Sequence, residues 1–94
     1  MKPSEILSKI KKSEWTTGKY SDENNSRFCF NGFIFNELLG CPEPRGGDMD
    51  MRVAYGYCGR LIHDVIADIN DDNQHLSFTI KKNQAIAFLE RKGL

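Results

Sequence analysis

Apolar residues in this 94-residue chain gather into four stretches separated by polar ones, and each stretch has its own spacing. The first holds Ile6, Leu7 and Ile10 behind Pro3 and Ser4, which predicts a short helix with Ser4 as N-cap. Lys9, Lys11 and Lys12 suit the negative end of that helix dipole. Trp15 follows at once and is expected to fold back as a large apolar plug. From Thr16 to Arg27 the chain is polar, with Asn24, Asn25 and Ser26 as turn residues, so a loop or short irregular hairpin is expected.

The second stretch, Phe28 to Leu39, is the most apolar, and periodicity alone does not separate a buried helix from a buried strand there. Its length, and the ending Glu37-Leu38-Leu39-Gly40 with glycine as cap, favour a central helix entered by a few extended residues around Phe28. Residues 40–50 contain two prolines and a Gly-Gly pair, which predicts a long mobile loop. A third helix is predicted from Met51 to Ile69. Val53, Ala54, Tyr57, Cys58, Leu61, Ile62, Val65, Ile66 and Ile69 would form its apolar side, with Arg52, Arg60, Asp64 and Asp68 on the other. It stops in Asn70-Asp71-Asp72-Asn73. Ser77 or Thr79 then caps a last helix through Ala85, Ile86 and Leu89 that ends at Gly93. The pattern predicts one small all-α domain of four helices, the alternative being α+β with a short hairpin around residues 16–30.

Composition adds limits. A hydrophobic share of 39% and a charged share of 28% are those of a folded globular chain. The N-terminus shows no leader-type apolar run, and no stretch reaches the eighteen or so apolar residues of a membrane span. Cys29, Cys41 and Cys58 are odd in number and widely spaced, which fits free thiols in a reducing cytoplasm rather than a disulfide framework. Net charge is zero, so no nucleic-acid-sized positive field is expected. The charge is nevertheless uneven: residues 1–19 and 77–94 each carry net +3, and residues 20–50 carry −4. Such basic ends and an acidic middle would also let copies of the chain meet across a symmetric homo-oligomer interface.

The order of landmarks is distinctive. Trp15 and Gly18 are followed by Cys29-Phe30-Asn31-Gly32-Phe33-Ile34, then by Ile69-Asn70-Asp71, then by Ser77-Phe78 at the head of the last helix. The ordered set resembles a group of small uncharacterised phage, prophage and bacterial proteins. Their pattern is Trp-x-x-Gly, Cys-x-x-Gly with two aliphatic residues, and Leu/Trp-Asn-Asp before a Ser-Phe or Thr-led helix. The match spans nearly the whole chain and departs from the pattern at Phe33 and Ile69. The resemblance implies a phage or mobile-element origin and a small protein acting on host proteins or host defence signals; it brings no activity with it.

Individual constellations give little chemistry. Asp68, Asn70 and Asp72 match the first three ligand places of a calcium loop, but the sixth place is Asn73 instead of glycine and the twelfth is Thr79 instead of glutamate. Cys29, Cys41, Cys58, His63 and His75 show no paired metal-ligand spacing. Asp48 and Asp50 beside Gly46-Gly47 lack the lysine of a phosphate-cradling loop. Cys29 with His63 or His75, and Asp64 or Asp71, supplies the residue types of a thiol hydrolase. Packing of a neighbouring helix against Cys29 and Gly32 is the favoured explanation of these two small residues. Arginines beside aromatics are what protein hot spots use, and Arg52 with Tyr55 is the best such pair. The sequence therefore points to a non-enzymatic protein without cofactor or metal, binding a host protein or a small signalling ligand. Arg45, Asp48, Asp50, Arg52 and Tyr55 are its expected contact residues. A small thiol-dependent enzyme using Cys29 and a histidine is the alternative.

Overall fold

The computed structural model of the chain describes residues 2–24, 26–40 and 60–94. They form four helices: α1 (Pro3–Leu7), α2 (Phe30–Leu39), α3 (Arg60–Asp71) and α4 (Phe78–Arg91), with a 3-10 turn over Lys12–Glu14. The all-α expectation holds, and the hairpin alternative shrinks to isolated bridges from Trp15 and Ser21 to Phe28, with no strand among the described residues. The 40–50 loop beyond Gly40, and residues 51–59 of the expected third helix, lie outside the described residues. No helix among those described is long and apolar enough to cross a membrane.

α2 is the centre. Phe30, Asn31, Gly32, Phe33, Ile34 and Phe35 are buried in succession, so the helix is enclosed all round and shows no amphipathic period. Its packing partners are α1 and α3, and α4 closes against both of those. Phe28 approaches it in extended form: its N–H donates to Glu14 O at 2.6 Å and its carbonyl accepts from Thr16 N at 3.0 Å. Gly40, at φ 76°, ends α2 in the left-handed conformation expected of a glycine cap.

α3 and α4 each bury a single stripe at four-residue spacing. In α3 the stripe is Ile62, Ile66 and Asn70; in α4 it is Lys81, Ala85 and Leu89. The α3 stripe is narrower than the sequence suggested. Leu61, about 100° round the helix from Ile62, is 66% exposed. Ser77 caps α4, its hydroxyl accepting from Ile80 N at 3.2 Å, and Gly93 turns the chain at φ 76° after the helix.

At the N-terminus the expectation shifts by two residues. Lys2 is the N-cap and Pro3 the first helical residue, where its missing N–H costs nothing. Ser4 instead lies inside α1, with its hydroxyl donating to Leu94 O at 3.0 Å. Lys9, Lys11 and Lys12 fall beyond the helix end, so they do not serve its dipole.

Candidate functional site

The last stripe position of α3 and the first of α4 are polar, and the two meet. Asn70 is 1% and Lys81 is 2% exposed, and the Lys81 ammonium donates to the Asn70 main-chain oxygen at 3.0 Å. It thereby fills one of the carbonyls left open at the C-terminal end of α3, where a cation also suits the dipole. The Asn70 side chain faces the other way. Its Oδ1 accepts from Trp15 Nε1 at 2.8 Å and from Phe30 N at 2.9 Å. Its Nδ2 donates to Thr16 O at 3.1 Å and to Asp71 Oδ1 at 2.7 Å. Asp71 Oδ1 also accepts from Gly18 N at 2.9 Å, on a glycine at φ 78°. One side chain thus ties the 15–18 loop, the first turn of α2 and the end of α3 together.

Beside this junction lies a half-open pocket of about 190 Å³. Gly18, Lys19 and Tyr20 form one wall, Cys29 and Asn31 the start of α2, and His63, Ala67, Asn70 and Asp71 the α3 side. Tyr20 OH and His63 Nε2 are 2.8 Å apart, and His63 Nδ1 lies 3.3 Å from Asp64 Oδ1. A neutral imidazole with its proton on Nδ1 satisfies both, accepting from the phenol and donating to the carboxylate. The ring is stacked on Phe35 with centroids 6.0 Å apart, and Asn31 Nδ2 donates to His63 O at 3.0 Å. The walls are therefore fixed by packing and hydrogen bonds on three sides.

Cys29 has the location of a reactive thiol but not its electrostatics. It is the N-cap of α2, with Sγ accepting from Gly32 N at 3.2 Å. Burial pushes the thiol up to about 11 from an ordinary value of 9.0, outweighing that N–H, which acts the other way. His63 shares the pocket with it, whereas His75 is exposed in the turn before α4. Gly32 is small for a reason other than a neighbouring helix: the Tyr20 carbonyl presses against its Cα.

A direct consequence concerns alkylation. Near neutral pH, iodoacetamide should modify Cys29 of the folded protein about a hundredfold more slowly than in urea, since a thiol held near 11 instead of 9.0 carries about a hundredth of the thiolate. Peptide mapping by mass spectrometry separates it from Cys41 and Cys58. Equal rates in the two conditions would show that Cys29 is not a buried cap. The sign for stability also follows. A raised folded-state value means the unfolded chain loses the proton first, so this contribution is intact below about pH 9 and is lost as pH rises to about 11.

The contact residues expected from sequence, Arg45, Asp48, Asp50, Arg52 and Tyr55, all lie outside the described residues, as do Cys41 and Cys58. The pocket residues Lys19, Tyr20, Asn31, His63 and Ala67 were not part of that expectation. Asn70 and Lys81 had a readable signal: each continues a four-residue apolar spacing with a polar residue. No known protein family, no curated protein and no solved structure matches the chain.

Proposed function

We propose that this chain is a non-enzymatic binding protein, of phage or mobile-element type, that engages a host protein by accepting one of its apolar side chains. The size of the Tyr20–His63 pocket carries the reading. At about 190 Å³ it is smaller than the roughly 300–1,000 Å³ typical of small-molecule sites, and suits a single side chain. Its lining is mostly apolar, with Tyr20, Ala67 and Cys29 among its residues, and Lys19, Asn31 and His63 add polar groups, a mixture found at protein hot spots. Catalysis by Cys29 gains position from His63 but no thiolate, which favours binding over the thiol-enzyme alternative. Arg45, Asp48, Asp50, Arg52 and Tyr55 stay in the proposal as contact residues derived from the sequence.

The test is a filled pocket. Ala67→Phe places a ring in the cavity from a half-buried position on α3, outside the α3 core stripe. Tagged wild type and Ala67→Phe are used side by side to capture proteins from a bacterial lysate, with quantitative mass spectrometry as readout. A host protein held by wild type should fall roughly tenfold on Ala67→Phe, the scale of one lost anchor. Equal retention would move binding away from this pocket. A wild-type bait that holds nothing above a blank column ends the host-protein reading.

A further inference from the structure

Beside the Trp15–Asn70 junction is a second and larger concavity, about 360 Å³, between the 12–17 segment and the start of α4. Its size lies within the range of about 300–1,000 Å³ in which small-molecule sites fall. Lys81 lines it together with Lys12, Trp15, Thr17, Ser77 and Phe78. Lysine is almost never this buried without an anionic partner. Yet among the described residues no carboxylate lies within 4.0 Å of Lys81 Nζ; the only ion pair there is His63 with Asp64.

The ammonium has three donors, and its hydrogen bond among the described residues is the one to Asn70 O. It also lies over the Trp15 ring, whose centroid is 5.5 Å away. Asp71 also borders the cavity, but its Oδ1 already accepts from Gly18 N and Asn70 Nδ2. Two ammonium groups and one committed carboxylate leave a net single positive charge. The first turn of the fourteen-residue α4, with Ser77 and Phe78 in the wall, adds the positive end of its dipole. Trp15 and Phe78, with ring centroids 5.3 Å apart, give the same cavity an apolar side.

We infer that this cavity binds a small organic anion, an anionic oxygen group held by Lys81 and Lys12 on a compact ring that rests against Trp15 and Phe78. A phosphate monoester and an aromatic carboxylate share that chemistry. The inference is independent of the side-chain pocket, whose lining shares only Asp71 with this cavity.

Trp15 is the single tryptophan of the chain, so its fluorescence reports on this wall alone. Adenosine monophosphate and benzoate are titrated at low ionic strength, with adenosine and benzyl alcohol as uncharged controls. At least one anion should give a saturable change that its uncharged counterpart does not; which one responds identifies phosphate or carboxylate as the preferred group. Lys12→Glu, at an exposed position whose side chain makes no hydrogen bond among the described residues, should stay folded by circular dichroism and weaken binding roughly tenfold. Lys81→Met should abolish the response, but it also removes the bond to Asn70, so Lys12→Glu decides. The inference is overturned if neither anion saturates, if the uncharged compounds bind equally, or if Lys12→Glu binds as tightly as wild type.

Discussion

Asn70→Ala should lower the unfolding free energy by about 3 kcal/mol, a large share of the roughly 5–15 kcal/mol available to a domain of this kind. The loss is not one of volume, because few atoms are removed. The main cost is the Phe30 N–H, fully enclosed at the first turn of α2, which would lose its acceptor. A buried donor left unpaired costs about 1–3 kcal/mol. The Trp15 indole N–H loses the same oxygen, and Thr16 O and Asp71 lose a donor. These groups are only partly enclosed, so water recovers some of their energy and they add about 1 kcal/mol together. For a chain of this length the sum corresponds to a melting temperature lower by about 12–24 °C.

A double-mutant cycle isolates the mechanism. Trp15→Phe deletes the indole donor while leaving Phe30 N bonded to Asn70. Combined with Asn70→Ala, it should show a coupling of about 1 kcal/mol, because both changes break the same hydrogen bond. Strict additivity of the two single losses, measured by urea unfolding, would mean that Asn70 does not act through Trp15.

The same junction explains what could be read from the sequence and what could not. Local devices were visible: the Gly40 cap, the Ser77 cap and the stop after α3 each depend on residues within a few positions of one another. Asn73, at φ 56°, belongs to the polar run already marked as the end of the third helix. Pro3 starts the helix two residues earlier than a Ser4 cap would, and the partner of the Ser4 hydroxyl is 90 positions away. Distance along the chain also hid the pocket. Tyr20 meets His63 across 43 positions and Trp15 meets Asn70 across 55, and no spacing rule links such pairs. A loop rich in proline and glycine signals exposure, which drew attention to residues 45–55, but a composition says nothing about concavity.

The ordered landmark residues of the sequence also acquire a physical meaning here. Trp15, Gly18, Cys29, Gly32, Asn70 and Asp71 bond or pack with one another, or with the same loop, and Phe78 lies against the Trp15 ring. A pattern made of such residues specifies how this junction is assembled. Lys19, Tyr20, His63 and Ala67, which line the pocket, stand outside that pattern.

Gly32→Ala gives the sharpest test of that assembly, because two effects predict opposite signs. Gly32 lies in the first turn of α2, and glycine inside a helix is less favourable than alanine by up to about 1 kcal/mol. Helix propensity alone therefore predicts a more stable protein. The structure predicts the reverse. A methyl group on Gly32 would lie 2.8 Å from the carbonyl carbon of Tyr20 and still closer to its oxygen, and both are main-chain atoms that cannot rotate away. Relief requires the 18–22 segment to lift from α2. That movement strains the Cys29 N to Tyr20 O bond of 3.3 Å and draws the Tyr20 hydroxyl from His63. Overpacking of this kind costs about 1–3 kcal/mol, so after the propensity gain a net loss of about 1–2 kcal/mol is expected. Because Tyr20 and Cys29 form walls of the 190 Å³ pocket, partner retention should fall with it, even at temperatures where the variant remains folded. Urea unfolding and the lysate capture measure the two consequences separately. A higher urea midpoint for Gly32→Ala would mean that the loop does not sit on α2 as described. A lower midpoint with unchanged capture would leave the fold intact and take the side-chain pocket out of the binding reaction.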